Sequence, residues 1–387
     1  MSAKLLLVAG EVSGDQHASA LLDALAEAAP GLTAFGVGGD GCAGRGMRLL
    51  AHQRELAVVG VVEALGKIRF ARRLIRACAD EARKERADAA VLIDSPDFNL
   101  PLARLLADAG IPVVFFVSPQ VWAWRSGRAR TLDRLGSSIL VLFAFEKKWY
   151  DARGLGRKVT WVGHPLVDAA EEELKTGAPF LERKRRRIAV MPGSRTSEIR
   201  NILPVLRDAV ERLRLSRNDL DVVLVQADSV SESLLRDVGG PALDSWHVVS
   251  GPHLALLASS DVLVVASGTA TIEGLLARVP MVVVYRVNPF TWWLARRLVD
   301  IPHAAMANLV SDDGSGTRAV PELLQHDATP KRIAAEVAAF LDDPARAAAA
   351  RERLARGAAE LGPPGAARRA AREVLRVLGA VSAEGAA

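Results

Sequence analysis

Cysteine is scarce in this chain: Cys42 and Cys78 are the only two in 387 residues. Two cannot build a disulfide framework, and no Cys/His spacing has the pattern of a zinc site. Long apolar runs are missing too. The longest, such as Val113–Val117 and Ile139–Phe145, hold five to seven residues, far below the ~18 that a spanning helix needs. At the N-terminus Lys4 is followed only by Leu5–Gly10 before Glu11, too short for a signal-peptide core. Gly (31) and Pro (19) sit near average usage, which excludes collagenous and low-complexity classes. Nor does one sign of charge dominate: 50 Lys and Arg face 45 Asp and Glu. That surplus is no histone-like composition, but it admits a nucleotide, an acidic lipid surface or RNA. The expectation is a soluble protein of a reducing, cytoplasmic setting.

Half of the residues are hydrophobic and a quarter are charged, enough to bury large cores. Short, continuous apolar runs carry the main structural signal: Lys4–Ala9, Ala89–Ile93, Pro112–Val117 and Ser138–Phe143. Strands buried on both faces read this way, so the sheet is expected to be parallel. Helical patterns over Ala18–Ala29, Ile68–Arg86 and Leu100–Ala109 alternate with them, which predicts βαβ units. The rhythm pauses over Val167–Arg187, where Glu171–Glu173, Thr176–Pro179 and the basic run Arg183–Arg187 read as a solvated linker. It restarts with strands at Arg187–Met191, Asp221–Val225, Trp246–Val249, Val262–Val265 and Met281–Tyr285. From Ala328 to about Leu378 the chain reads as helices, broken once at Pro363-Pro364. The expected architecture is α/β, with two doubly wound Rossmann-like domains at 1–167 and 168–345. A helical tail at 346–387 would pack on the first domain or on a partner subunit.

In open parallel sheets, ligands bind beyond the carboxyl ends of the strands. The loop after the first strand, Gly10–His17, crowds Glu11, Asp15 and His17 around Ser13. A pyrophosphate would be repelled there, so Glu11, Ser13 and Asp15 read as hydroxyl-binding; the competing reading is a turn and a helix cap. Gly36–Asp40 reads as a turn. After the next buried strand, Asp94 and Asp97 lie three residues apart, and either could serve as a general base. Asp97 is the better helix cap, which leaves Asp94 as the base candidate. Trp122 and Trp124 follow another strand, either packed in the interior or contacting sugar or lipid. In the second half, Pro192-Gly193-Ser194-Arg195 turns into a helix, offering N–H groups, a hydroxyl and a guanidinium to a phosphate. It lacks the P-loop spacing. Ser267-Gly268-Thr269 repeats the idea, with Glu273 a turn further on, placed to accept from ribose hydroxyls.

Taken together, these segments resemble the lipid-A-disaccharide synthase family: Ala9–Asp15, Asp94–Asn99, Val117–Arg125, Gly163-His164, Pro192–Arg195 and Ala266–Glu273, then Pro280–Arg286, Asn288–Arg297 and Val320–Gln325. The likeness runs in matching order from about residue 4 to 375. It implies an inverting GT-B glycosyltransferase without metal or cofactor. The implied reaction joins UDP-2,3-diacylglucosamine to 2,3-diacylglucosamine 1-phosphate, giving the β-1,6-linked disaccharide 1-phosphate and UDP. By resemblance Asp94 is the base for the acceptor's 6-hydroxyl. Ser194 and Arg195 hold the UDP phosphates, Glu273 the ribose, and Asn308 lies near the donor. The segment Val310–Arg318 departs from the family pattern, and with it any role for Arg318.

Acylated substrates call for work at a membrane surface. Val58, Val59, Val61 and Val62 lead into a helix where Leu74, Ile75 and Cys78 make one stripe and Arg69, Arg72, Arg73 and Arg76 gather on the other side. An apolar stripe edged with arginines suits an interfacial helix at the cytoplasmic face of the inner membrane. Its rival is a core-facing stripe. The lipid-facing set so expected includes Trp122 and Trp124. A homodimer is compatible with the sequence, and nucleic acid is not an expected partner. Two other readings stay open: a UDP-N-acetylglucosamine 2-epimerase of the same architecture, and a non-catalytic RNA-binding protein. Against the latter, the aromatics sit in strand-end loops, not on one sheet face.

Overall fold

In the computed structural model the described residues are 3–56, 61–176, 185–251, 253–287, 292, 303–312 and 316–384. They form two compact units, Met1–Pro165 with Pro363–Ala387, and Leu166–Gly362.

The first unit is built on seven parallel strands: β1 (Lys4–Ala9), β2 (Thr33–Gly38), β3 (Arg48–His52), β4 (Ala89–Ile93), β5 (Val113–Phe116), β6 (Ser138–Val141) and β7 (Val159–Trp161), in the order β3-β2-β1-β4-β5-β6-β7. Successive side chains of β1 from Leu5 onward, and all of β4, are buried, because helices cover both faces of the sheet. These are α1 (Val12–Ala28), α2 (Asp40–Ala43), α3 (Val61–Glu85), α4 (Pro96–Asp108), α5 (Arg128–Leu135) and α6 (Ala144–Asp151). Gly36–Gly38 belong to β2 and are not the expected turn. Gly36 is there for a steric reason: at φ 144° a Cβ would lie 2.0 Å from the Leu7 carbonyl oxygen.

The second unit opens with α7 (Leu166–Thr176), so the first part of the expected linker is helix; its middle, 177–184, lies outside the described residues. Six parallel strands follow: β8 (Arg186–Met191), β9 (Leu220–Val225), β10 (His247–Val249), β11 (Val262–Ala266), β12 (Met281–Tyr285) and β13 (Glu322–Leu324), in the order β10-β9-β8-β11-β12-β13. Around them lie α8 (Thr196–Arg214), α9 (Glu232–Gly239), α10 (Leu254–Ala258), α11 (Ala270–Leu276), α12 (Met306–Val310), α13 (Pro330–Asp342) and α14 (Pro344–Ala359). The expected tail at 346–387 is therefore not one piece. Helix α14 belongs to the second unit, whereas α15 (Ala366–Glu384), beyond Pro363-Pro364, belongs to the first and packs along α1. In each sheet the strand order reverses beside the first strand, between β1 and β4 and between β8 and β11. Such a reversal opens a crevice at the carboxyl ends.

Helix α3 corrects a second expectation. Leu74, Ile75 and Cys78 are buried in the core with Leu6, Val8 and Leu92. The apolar stripe thus faces the protein interior, and Arg69, Arg72, Arg73 and Arg76 remain on the exposed side with Ile68, Ala77 and Asp80. Val58 and Val59 lie outside the described residues, as do the side chains of Val61 and Val62.

Candidate functional site

At the carboxyl edge of the first sheet, the turn from β4 into α4 is strained. Asp94 and Ser95 both take left-handed backbone angles, φ 49° and 40°, which cost roughly 1–3 kcal/mol each for residues that are not glycine. Two contacts hold the turn. Buried Asn99 donates through Nδ2 to the carbonyls of Ile93 (3.0 Å) and Asp94 (2.7 Å), and the Asp94 N–H donates to Phe116 on β5 at 3.1 Å. Burial, followed by the charge of Glu11, pushes the Asp94 carboxyl up to about 6, against a pull from the Ser95 N–H. A carboxylate so tuned is a competent proton acceptor near neutral pH. Asp97 is different. It does not cap α4; it is exposed and paired with Arg128 at 2.6 Å.

Beside this turn runs a chain of rings from the neighbouring strand ends. Phe116 lies 6.1 Å from His17, His17 6.3 Å from His164, His164 5.3 Å from Phe143, Phe143 5.4 Å from Phe145, and Phe145 4.9 Å from Trp122. Burial lowers His17 to about 4; burial and then the His17 charge lower His164 to about 3. Both are neutral rings in use. Buried Glu146 anchors the far end, accepting from the Leu142 and Phe143 N–H groups and from Trp122 Nε1, each at 3.1 Å. Burial raises it to about 7 despite those bonds. Trp122 is thereby fixed within the protein, half-buried, and Trp124 carries Arg125 over its ring at 4.5 Å. The sequence reading missed Phe143, Phe145 and Glu146. Glu146 stands three residues beyond the N-cap Phe143, a recognisable capping spacing.

The expected hydroxyl-binding trio does not hold together. Asp15 is buried, and its carboxylate accepts from the N–H groups of Gly39 (2.6 Å), Gly41 (3.0 Å) and Cys42 (3.3 Å). It ties α1 to the loop after β2, a structural task. Glu11 alone is tied to the site: it is the exposed N-cap of α1, and its charge reaches Asp94, whereas Ser13 is half-buried in the first turn of that helix.

In the second unit, Ser194 and Arg195 project from the β8–α8 turn and are exposed. Glu198 organises them: its carboxylate accepts from the N–H groups of Ser194 (2.9 Å) and Arg195 (3.3 Å), and Arg195 Nη1 donates to it at 3.2 Å. Gly193 makes room, because at φ 118° a Cβ would sit 2.5 Å from Glu198 Oε2. The backbone donors foreseen for phosphate are thus occupied by Glu198, and the exposed Arg195 guanidinium is paired with the same carboxylate. Across β11, Ser267 donates to the Ala304 carbonyl (2.8 Å), Thr271 closes the turn by donating to Gly268 (2.8 Å), and Thr269 is exposed. Glu273 lies 3.6 Å from His253. Asn308, by contrast, is buried and engaged internally: Nδ2 donates to Val320 O (2.9 Å) and Glu322 (2.7 Å), and Oδ1 accepts from Val320 N–H (3.0 Å). It braces the α12–β13 connection and is not offered to a ligand. Arg318 is exposed.

A family model described as lipid-A-disaccharide synthetase matches residues 5–372. Lipid-A-disaccharide synthases of Anaeromyxobacter dehalogenans (strain 2CP-C) and Myxococcus xanthus (strain DK1622) are each 39% identical to this chain, with 97% of both chains covered. Among solved structures, the UDP-GlcNAc 2-epimerase of Neisseria meningitidis bound to UDP-GlcNAc superposes with a TM-score of 0.63 at 12% identity, covering 96% of this chain and 100% of the other. The glycotransferase of kitacinnamycin gives 0.63 at 18%, covering 97% and 99%. At such identities the structures share the GT-B fold alone.

Proposed function

The chain belongs to the lipid-A-disaccharide synthase family, and from that premise we propose which of its residues do the work. The reaction is glycosyl transfer: UDP-2,3-diacylglucosamine and 2,3-diacylglucosamine 1-phosphate give lipid A disaccharide 1-phosphate and UDP. In our reading the first unit takes the acceptor and the second the UDP-sugar. Asp94 removes the proton from the acceptor's 6-hydroxyl as that oxygen attacks the anomeric carbon, inverting it. Arg195 meets the charge growing on the departing UDP, with Ser194 beside it, and Glu273 accepts from the ribose. No metal or cofactor enters this scheme. Among the described residues no helix is long and apolar enough to cross a membrane. We place the protein at the cytoplasmic face of the inner membrane, held by the exposed arginines of α3 and by its acylated substrates. A homodimer is compatible with this reading, and nucleic acid has no part in it.

The carrying observation is the strained, desolvated Asp94 at the mouth of β4. Asp94→Asn keeps the volume and removes the basic oxygen, so turnover should fall by ~10²–10⁴-fold while UDP affinity, read by calorimetry, holds. Asp97→Asn should cost little. The opposite ranking would move the base to Asp97.

A further inference from the structure

One residue beside Glu273 still lacks a role. His253 precedes α10, a short helix packed against α7 and α11. Its Nδ1 lies 2.9 Å from the Gly251 carbonyl oxygen, and its Nε2 lies 3.6 Å from Glu273 Oε1. Both oxygens can only accept. A neutral imidazole carries one N–H, so one ring nitrogen would turn a lone pair toward an oxygen; the imidazolium alone serves both contacts. The charged groups facing the ring are Glu273 from α11 and Glu173 from α7, the latter also accepting from the N–H groups of Leu254 and Ala255. Glu273 itself is largely sheltered, its side chain 24% exposed.

We propose that His253, as an imidazolium, is a positioning residue that fixes the Glu273 carboxylate for the vicinal hydroxyls of the donor's ribose. The inference rests on the ribose role given to Glu273 above. Burial by itself would lower the pKa of His253, but the hydrogen bond and charge of Glu273, with Gly251 and Glu173, raise it overall. The positioning contact is therefore present at low pH and lost as pH rises through that raised value.

The test compares UDP with 2′-deoxy-UDP by calorimetry on the full chain between pH 6 and 9; their ratio cancels the titration of the phosphate. The wild type should prefer UDP most strongly at low pH, with the preference falling about fivefold across the range, as expected for a partly screened ion pair. His253→Leu should show the weak preference at every pH. Retention of the wild-type preference and its pH dependence in His253→Leu would overturn the proposal. Glu273→Gln with an unchanged preference would instead remove the ribose reading itself. If His253→Leu does not fold, ¹⁵N NMR of the wild type still decides: the ring should titrate above a free imidazole, with both nitrogens protonated below that point, and a ring already neutral at pH 6 would overturn the assignment.

Discussion

Two aspartates near the same sheet edge show why residue type alone does not assign a task. Asp15 follows Gly14 and Asp94 precedes Ser95, each beyond a buried strand, and both read as candidate site groups. Three backbone N–H groups consume the Asp15 carboxylate, whereas Asp94 is raised by burial and by Glu11. The difference comes from residues 39–42 folding back onto α1, a contact more than twenty positions away that no local pattern encodes. Asp15→Ala should therefore act on stability, costing ~1–3 kcal/mol for stranded buried donors, read as a lower urea midpoint. Asp94→Asn should act on rate instead. Because the Asp94 carboxyl sits near 6 in the free protein, the base form fills as pH rises, and kcat/KM should climb through that value and then level off. Asn308 repeats the lesson: its partner Glu322 arrives from β13, and the pair was invisible in sequence.

At the scale of elements, the sheets were the legible part. Runs such as Leu5–Ala9 and Ala89–Ile93 are apolar at every position because helices cover both faces. Short edge strands were read unevenly: β10 was foreseen at Trp246–Val249, β7 and β13 were not. β7 and β13 span three residues each, too few for any periodicity. The acidic run Glu171–Glu173 read as a linker, yet it lies on α7, where Glu173 takes the first N–H groups of α10. Glu198 could have been read, since it follows the N-cap Arg195 by three positions, the spacing of a capping box. Helix α3 was half legible: the two-sided pattern is real, but the stripe of Leu74, Ile75 and Cys78 faces the core. What remains for the membrane is electrostatic, ~1 kcal/mol for each basic residue near anionic lipid. Sedimentation with anionic liposomes should weaken as salt rises and fall further when Arg69, Arg72 and Arg76 become Glu. Binding to neutral and anionic vesicles alike at every salt concentration would discard the arginines as the anchor.

For the whole molecule, two sheets of the same design carry two chemistries. The first offers a tuned carboxylate beside neutral aromatic and imidazole rings; the second offers the Arg195 guanidinium and the Glu273 carboxylate, which we assign to phosphate and ribose. The sequence showed both domains through the restart of the βαβ rhythm and offered the first domain as one of two partners for the tail, but did not place the chain's return at Pro363-Pro364. That return is a tertiary event, set by the packing of α15 on α1. Fold alone does not separate a synthase from an epimerase, since both share this architecture; the substrates do. The decisive measurement is UDP release by the intact protein, with each acylated substrate omitted in turn and with plain UDP-N-acetylglucosamine as the comparison. Release should require the acylated donor and the acceptor together. UDP release or epimerisation from UDP-N-acetylglucosamine, with no acylated acceptor present, would contradict the account.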